Sequence, residues 1–506
     1  MSTATLNHVR PIIHTTTAVR FGVGVAFSLA STALLILAFP PYNIWLLAFF
    51  AFVPAFIAEY HFLPRRWCGL GSAISVGGWL AVFLTAAFGG GKYVWIFLAI
   101  AMLVGLFGIL SLPAVRKFHE RTGFRWFILH GALDYAGLEM IRSFIPPINT
   151  HAFMAQTMYS QPWMVLPISI FSIYGLTFVL MLVNFALAQG ALMYLDNKWH
   201  LDERPDMDKQ SIMRWMATAA VVFALWVGVG LITLAGAPKD APTIRVAAVQ
   251  HGFAQAGHLD TPESQTQRLQ ILSEQTRLAA GQGARLVLWP ELGLGFDPQV
   301  EHTAEIKALA AETNAYILIG YGVGRDASKW RNEAVMLTPS GEFLAVYGKT
   351  HATSPTEPPI ITSGAFPVYD TTLGPLATLI CNDINYTDVS RTLTRNGARL
   401  ITMPALEATS VAGWEQRSQI VLRAVENRVA FVKADTAGIG MIVDPYGRIV
   451  AQKNSTEPYA LVADVPLGTG DTLYSKSLGD WMGWVGLAGL VVFNVAINKK
   501  QKGVSK

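Results

Sequence analysis

Apolar residues crowd the two ends of this 506-residue chain and leave one long polar segment between them. A run of about 20 apolar residues is long enough to cross a bilayer as a helix. Such runs lie at 21–39, 43–60, 69–88, 93–112, 126–143, 170–195, 215–236 and 479–497. The fifth is interrupted by Asp134, Glu139 and Arg142, and the sixth falls in a stretch without Asp, Glu, Lys or Arg from Ser143 to Leu195. The first run is expected to be a membrane helix and not a cleaved signal peptide, because a longer hydrophobic series follows it and no small-residue cleavage site stands out. The pattern divides the chain into a membrane domain at 1–236 with about seven helices, a polar domain at 243–470, and a closing membrane helix at 479–497.

The polar segment is long enough to bury a core of its own. Short β-branched runs predict strands at Thr243–Val249, Arg285–Leu288, Tyr316–Ile319, Leu376–Ile380, Leu400–Met403 and Ala430–Lys433. Helical patterns at 264–280, 301–313 and 414–428 stand between some of them. Ala334–Val346 reads as a hairpin turning at Pro339-Ser340-Gly341, and 438–452 as another turning at Asp444-Pro445-Tyr446-Gly447. The fold class expected is a polytopic α-helical membrane bundle plus an α/β domain whose sheets are covered by helices.

Composition agrees with that division and narrows the function. Charged residues make up 14% of the chain and hydrophobic ones 52%, against roughly 25% charged in a soluble protein. The formal charge of +4 is distributed by membrane side. If the N-terminus is cytoplasmic, the inner connections should hold the Lys and Arg residues. They hold Arg10, Arg20, Arg65, Arg66, Arg116, Lys117, Arg121, Arg125, Lys198, Arg204, Lys209, Arg214, Lys499, Lys500, Lys502 and Lys506. The outer connections between the first six runs hold Lys92 alone. Seven crossings then place the polar domain outside the cytoplasmic membrane. The basic residues are explained by orientation, so no nucleic-acid partner is expected. Two cysteines, Cys68 and Cys381, exclude a disulfide framework, and no Cys/His spacing suggests a metal. No cofactor is expected either.

Within the polar domain three residues can do chemistry together. Cys381 is its one cysteine and follows the apolar run Ala377-Thr378-Leu379-Ile380. A lone thiol in an oxidising compartment is a liability unless it is used, although a buried structural cysteine fits the same facts. Glu291 follows Trp289-Pro290, and proline stops ladder pairing, so the carboxylate should stand at a sheet end. A solvated loop glutamate is the plain alternative. Lys349 ends the expected strand Phe343–Tyr347, where a surface lysine is the default. Together a thiol, a carboxylate and an ammonium, each after a strand, can activate a nucleophile, accept its proton and hold an oxyanion.

These segments resemble the nitrilase superfamily, whose triad is Glu, Lys and Cys in this order. The matching pieces are Trp289-Pro290-Glu291, Tyr347-Gly348-Lys349-Thr350-His351 and Leu379-Ile380-Cys381-Asn382-Asp383. With membrane runs on both sides, the whole chain resembles the apolipoprotein N-acyltransferase family. Phe39-Pro40-Pro41-Tyr42-Asn43, Glu139-Met140-Ile141-Arg142, Tyr174-Gly175-Leu176 with Asn184, Glu357, and Leu422–Arg428 followed by Gly438 agree with it. Four segments depart. Asn382-Asp383 stands where the family prefers Tyr-Glu; Lys349–Glu357 and Pro404–Thr409 differ from its loops; a Gly-Phe-Pro-Trp segment is missing near Ile145-Pro146-Pro147.

The resemblance implies a nitrilase-like αββα sandwich on the extracytoplasmic side of a bacterial cytoplasmic membrane. It implies acyl transfer from a membrane phospholipid, through a thioester on Cys381, to the N-terminal amine of a lipoprotein. Glu291 would be the base, and Lys349 with backbone N–H groups the oxyanion holder. Glu357 would orient Lys349 or the incoming nucleophile. A monomer is expected. Two rivals stand beside this reading: a membrane-anchored amidase of the same superfamily, in which water resolves the thioester, and a non-catalytic receptor or transporter. The uncharged connection from Ser143 to Gln161, with Phe144, Phe153, Met154, Met158 and Tyr159, reads either as a lipid entrance or as an interfacial aromatic belt. Glu139 and Arg142, three apart on one helical face, read as a structural ion pair or a substrate contact.

Overall fold

The computed structural model describes residues 16–87, 91, 94–146, 148–199, 206–238, 240–254, 261–324, 330–353, 357, 360, 364–407 and 410–502. Arg10, Lys92, Pro147, Arg204, residues 354–356, residues 408–409 and Lys506 lie outside the described residues, as do the side chains of Lys499, Lys500 and Lys502.

Seven helices among the described residues are long and apolar enough to cross a membrane: Thr17–Ala38, Trp45–Phe62, Arg65–Ala87, Val94–Arg121, Ile168–Lys198, Lys209–Ala235 and Trp481–Asn498. The expected fifth span is a helix at Phe127–Ser143, but its 17 residues and its charges leave it outside that set. It still packs inside the bundle, between the Ile168–Lys198 and Trp481–Lys502 helices. Glycine permits this closeness: a Cβ at Gly137 would meet the Gly486 carbonyl oxygen at 2.7 Å.

In two of the broken rods polar side chains mend the break, as hydrocarbon requires. In Trp45–Phe62 a 3-10 turn, a short α-helix and a π-turn follow one another. There Asn184 accepts from the Phe52 N–H at 3.1 Å and donates to the Ala48 carbonyl at 2.8 Å. The Ile168–Lys198 rod breaks at Ser172, with φ 60° and ψ 175°. The Ile173 N–H freed by that break donates to Glu426 Oε1 at 3.0 Å, and Glu426 belongs to the polar domain. Arg423 pairs with Glu426 and donates to the Ile384 carbonyl at 3.2 Å.

The described basic connections gather at one pole. Arg20 donates to the His61 carbonyl, Arg65 pairs with Glu120 at 2.9 Å, and the Asp208 N–H donates to the Gly123 carbonyl. Glu139 and Arg142 fix the connection that follows their own helix. Glu139 Oε1 accepts from the Met154 N–H at 2.9 Å, and Arg142 donates to the Ala152 carbonyl at 3.2 Å. Both therefore serve a structural role. Phe153, Met154, Met158 and Tyr159 are buried and Phe144 alone of the five is exposed, so this connection is a packed floor and not an open entrance.

The polar domain holds two six-stranded sheets. The first contains β1 (Thr243–Gln250), β2 (Leu286–Leu288), β3 (Tyr316–Val323), β4 (Arg331–Leu337) and β5 (Tyr347–Gly348). The second contains β6 (Val368–Thr371), β7 (Gly374–Thr378), β8 (Leu400–Ala405), β9 (Ala430–Asp435), β10 (Ile439–Val443) and β11 (Ile449–Asn454). The last strand, β12 (Tyr459–Pro466), returns to the first sheet. The strand orders are β12-β1-β2-β3-β4-β5 and β11-β10-β9-β8-β7-β6. Parallel strands form each centre: β1, β2 and β3 in one sheet, β7, β8 and β9 in the other. Val246, Ala248, Leu286 and Leu288 face the second sheet, while Ala247, Val249 and Val287 face the Pro262–Gly281 and Thr303–Thr313 helices. On the far side Val421 and Ala424 of the Ser410–Asn427 helix cover the second sheet, which completes the αββα order.

Two expected strands need correction. The run Phe343–Tyr347 contributes to β5 only at Tyr347, since Leu337 bridges Phe343 while Ala334 pairs with Tyr347. That one-residue slip takes most of the run out of the ladder. The strand expected at Leu376–Ile380 ends at Thr378 and begins at Gly374. The sequence reading also missed β6, β12 and the Thr387–Arg395 helix.

Removing one member of a buried ion pair leaves the other charge uncompensated. Arg423→Ala, which strands Glu426 at the joint between the domains, should therefore destabilise the protein by about 3–5 kcal/mol. Thermal unfolding of the detergent-solubilised chain measures this; an unchanged midpoint would show that the joint carries no load.

Candidate active site

Each of the three residues leaves a strand at the same end of the sandwich. Glu291 lies in the turn after β2, where Trp289-Pro290 ends the pairing. Lys349 follows β5, its N–H still bonded to the Asn332 carbonyl of β4 at 2.9 Å. Cys381 opens a 3-10 turn, Cys381–Asn385, three residues after β7. Its φ of +46° is one that a non-glycine residue rarely adopts. Such a conformation costs of order 1–3 kcal/mol and persists where the surroundings enforce it.

The geometry converges. Lys349 Nζ donates to Glu291 Oε1 at 2.8 Å and to Glu357 Oε2 at 2.7 Å, with Thr353 Oγ1 at 3.4 Å. Asn332, which the sequence reading did not single out, donates through one nitrogen to both carboxylates, at 2.7 Å to Glu291 and 2.9 Å to Glu357. It lies in β4 two residues before the hairpin expected at Ala334–Val346, and no local sequence signal marked it. The Leu406 backbone joins the remaining parts. Its N–H donates to Glu291 Oε2 at 2.9 Å, and its carbonyl faces the Cys381 thiol at 3.8 Å. Gln416 donates to Cys381 Sγ at 3.3 Å, a second contact the sequence did not reveal.

Burial and neighbouring charges set the protonation states. Burial, reinforced by the Glu291 carboxylate, pushes the Cys381 thiol well above its ordinary value of 9.0, and Lys349 only partly opposes this. Burial alone would pull Lys349 down, but Glu291 and then Glu357 hold its ammonium well above the usual lysine range. Burial would likewise raise Glu357, yet Lys349 keeps it below the ordinary carboxylate value. The resting site therefore holds a neutral thiol beside a fixed ammonium. An incoming electrophile would be met by a sulfur whose proton must go to a base during attack.

The departing pair Asn382-Asp383 proves to be an anchor for the lysine loop. Asp383 is fully buried and accepts from the Tyr347 hydroxyl at 2.8 Å and from the N–H groups of Ile380, Thr350 and His351. Burial raises it to about 7, against these donors. Asn382 donates to the Ala352 carbonyl at 3.0 Å. No cluster of His, Cys, Asp and Glu fit to hold a metal ion occurs among the described residues.

Comparison with known proteins matches both halves of the chain. Residues 245–473 match the carbon-nitrogen hydrolase family, and residues 31–186 match the apolipoprotein N-acyltransferase N-terminal domain. An apolipoprotein N-acyltransferase of Geobacter metallireducens is 28% identical over 499 residues, 91% of this chain and 93% of that protein. A nitrilase of Pyrococcus abyssi is 30% identical over 215 residues, 37% of this chain and 79% of that protein. Among solved structures, an amidase from Nesterenkonia sp. AN1 in complex with acrylamide covers 49% of this chain and all of its own, at 23% identity and a TM-score of 0.40.

A thiol raised in this way has little thiolate at neutral pH. Alkylation of Cys381 by iodoacetamide should keep accelerating from pH 7 past 9, because the thiolate fraction grows tenfold per unit below the folded value. Peptide mass spectrometry of timed samples follows this; a rate that levels off below pH 8 would show a preformed thiolate.

Proposed function

Because the chain belongs to the apolipoprotein N-acyltransferases of the carbon-nitrogen hydrolase superfamily, we propose that it moves a fatty acyl group from a phospholipid to the N-terminal amine of a lipoprotein by way of Cys381. The observation that carries this reading is the single Lys349 ammonium held between Glu291 and Glu357 beside the buried thiol.

Glu291 takes the Cys381 proton as sulfur forms a bond to the ester carbonyl carbon of the donor. Lys349 neutralises the oxyanion that develops there. The tetrahedral adduct collapses, the carbon–oxygen bond breaks, and Glu291 returns its proton to the departing alkoxide, releasing a lysophospholipid and leaving a thioester. The lipoprotein amine then attacks the thioester carbon and gives its proton to Glu291. The carbon–sulfur bond breaks, the thiolate takes that proton back, and an amide has formed. Glu357 and Asn332 hold Lys349 and Glu291 in register throughout.

The membrane helices serve the donor. Each buried CH₂ is worth about 0.8 kcal/mol, so a long acyl chain resists being lifted into water. A site seated on the bundle lets the tails stay in hydrocarbon. The basic pole of the bundle supports a cytoplasmic placement of that end, with the αββα domain on the extracytoplasmic face of the membrane. We take the chain to act as a monomer, since one copy supplies every group used.

Hydrolysis is the competing outcome, favoured by the similarity of the αββα domain alone to a nitrilase and by the altered segments at 350–356 and 404–409. One experiment separates the two. Incubation with phospholipid should add an acyl mass to Cys381, and a lipopeptide with a free amine should discharge it as an amide. Cys381→Ala should abolish the adduct, and Glu291→Gln or Lys349→Met should slow its formation at least about a hundredfold. Discharge as free fatty acid, with the amine unmodified, would make the chain an amidase-type hydrolase; no adduct under any donor would end the acyl-transfer reading.

A further inference from the structure

The Ser410–Asn427 helix forms the seam between the two domains. Leu422 and Val425 sit in the hydrophobic core of the bundle, and the helix packs against the Met154–Met158 turn and the Ile168–Lys198 rod. Gln416 on this helix touches the Cys381 sulfur. The next residue, Arg417, is half-buried, with its guanidinium 4.5 Å from the Trp414 ring centroid and 5.0 Å from that of Tyr159. Tyr159 comes from the connection that floors the site and is itself buried.

Arg417 differs from the buried Arg116 and Arg423 in what it faces. Arg116 donates to the Glu59 and Leu63 carbonyls and pairs with Glu120; Arg423 donates to the Ile384 carbonyl and pairs with Glu426. For Arg417, aromatic faces are the partners found among the described residues, no carboxylate pairs with it, and its buried Nε meets no acceptor. Burial lowers its basicity, and only Tyr159 opposes that. Ring faces stabilise a cation by about 0.5–2 kcal/mol and leave the in-plane N–H donors unused. A half-buried cation without a carboxylate partner keeps in-plane donors free and matches a ligand that brings the anion. The planar fork suits two oxygens of one phosphoryl group.

We propose that Arg417, stacked between Trp414 and Tyr159, binds the phosphodiester oxygens of the donor lipid while the ester carbonyl of the same molecule reaches Cys381. The inference rests on the acyl-transfer reading above and assigns its donor selectivity to one side chain. In a phospholipid the glycerol unit separates ester carbonyl and phosphate by a few bonds, and here consecutive residues of one helix address the nucleophile and the anion. The aromatic clamp holds the guanidinium plane in place, so little ordering remains for the ligand to impose.

The test compares two donors with the full-length chain in mixed micelles: a phospholipid and a diacylglycerol with the same acyl chains. The readout is kcat/KM for acylation of Cys381. Wild type should favour the phospholipid, and Arg417→Gln should reduce that preference by about tenfold to a hundredfold, the range of a charge-assisted hydrogen bond. Arg417→Lys should retain part of it, since the charge survives without the fork. An unchanged preference in Arg417→Gln, or an equal loss with both donors, would overturn the proposal and leave acyl transfer standing. Inhibition of wild type by inorganic phosphate, with no preference between donors, would mark a free-anion site and also overturn it. Absence of any Cys381 adduct in wild type would overturn the acyl-transfer reading and this one with it.

Discussion

A buried ammonium between a buried carboxylate and a partly buried one is the interaction on which the rest of this site depends. Lys349 and Glu291 are nearly inaccessible and Glu357 is partly buried, so one ammonium faces two carboxylates. A thiolate formed beside them would add a second negative charge to a region of low dielectric, which is why the thiol stays protonated at rest. The same arrangement makes the charge available when it is needed. In the proposed mechanism Glu291 becomes neutral as it accepts the sulfur proton, and Lys349 is left with one carboxylate instead of two. Its field is released toward the oxyanion at the step that creates one. The proposed mechanism thereby couples proton transfer and oxyanion stabilisation through a single side chain.

That electrostatic unit has to be held over the membrane at a fixed height, and the fold does this with backbone groups that the membrane domain leaves unpaired. The break at Ser172 exposes the Ile173 N–H, and Glu426 of the αββα domain caps it. A few residues along the floor connection, Thr150 donates to the Asn385 carbonyl, and His151 lies 3.1 Å from Glu415. Asn385 closes the turn that Cys381 opens, so the nucleophile and the floor share a hydrogen-bonded network. Polar joints of this kind are directional, unlike apolar packing, and they fix orientation as well as distance.

Membrane runs, parallel-sheet centres and the three chemical residues were legible in the sequence because each leaves a local signature. A span announces itself by length, a buried parallel strand by continuous Val, Ile and Leu, and Glu291 by the proline before it. What was hidden depends on partners remote in the chain. Asn332 looks like an ordinary strand residue until β5 carries Lys349 alongside it. Gln416 looks like one more polar position on a helix, and only the packing of that helix over the second sheet brings it to sulfur. The slip between β4 and β5 could not be read from alternation, because register is set by pairing and the run has the right residues in either register. The short Phe127–Ser143 helix shows the converse error: its charges look like a fault in a membrane span, yet they satisfy the connection that follows.

The segments that depart from the family pattern are best understood as a rebuilt support for the same electrostatic unit. Asp383 binds the lysine loop through two backbone N–H groups and the cysteine turn through a third. Lys433 does similar work behind Leu406. Its ammonium lies 2.6 Å from Glu407 and 2.9 Å from Asp435, at the ends of β8 and β9, and donates to the Ile439 carbonyl. Glu407 is the residue after the one whose backbone contacts both Glu291 and Cys381. A buried ion pair seldom adds net stability over a hydrophobic filling, but it does restrict geometry. Two such anchors, Asp383 and Lys433, confine the loops that carry Lys349 and Leu406 beside Glu291 and Cys381.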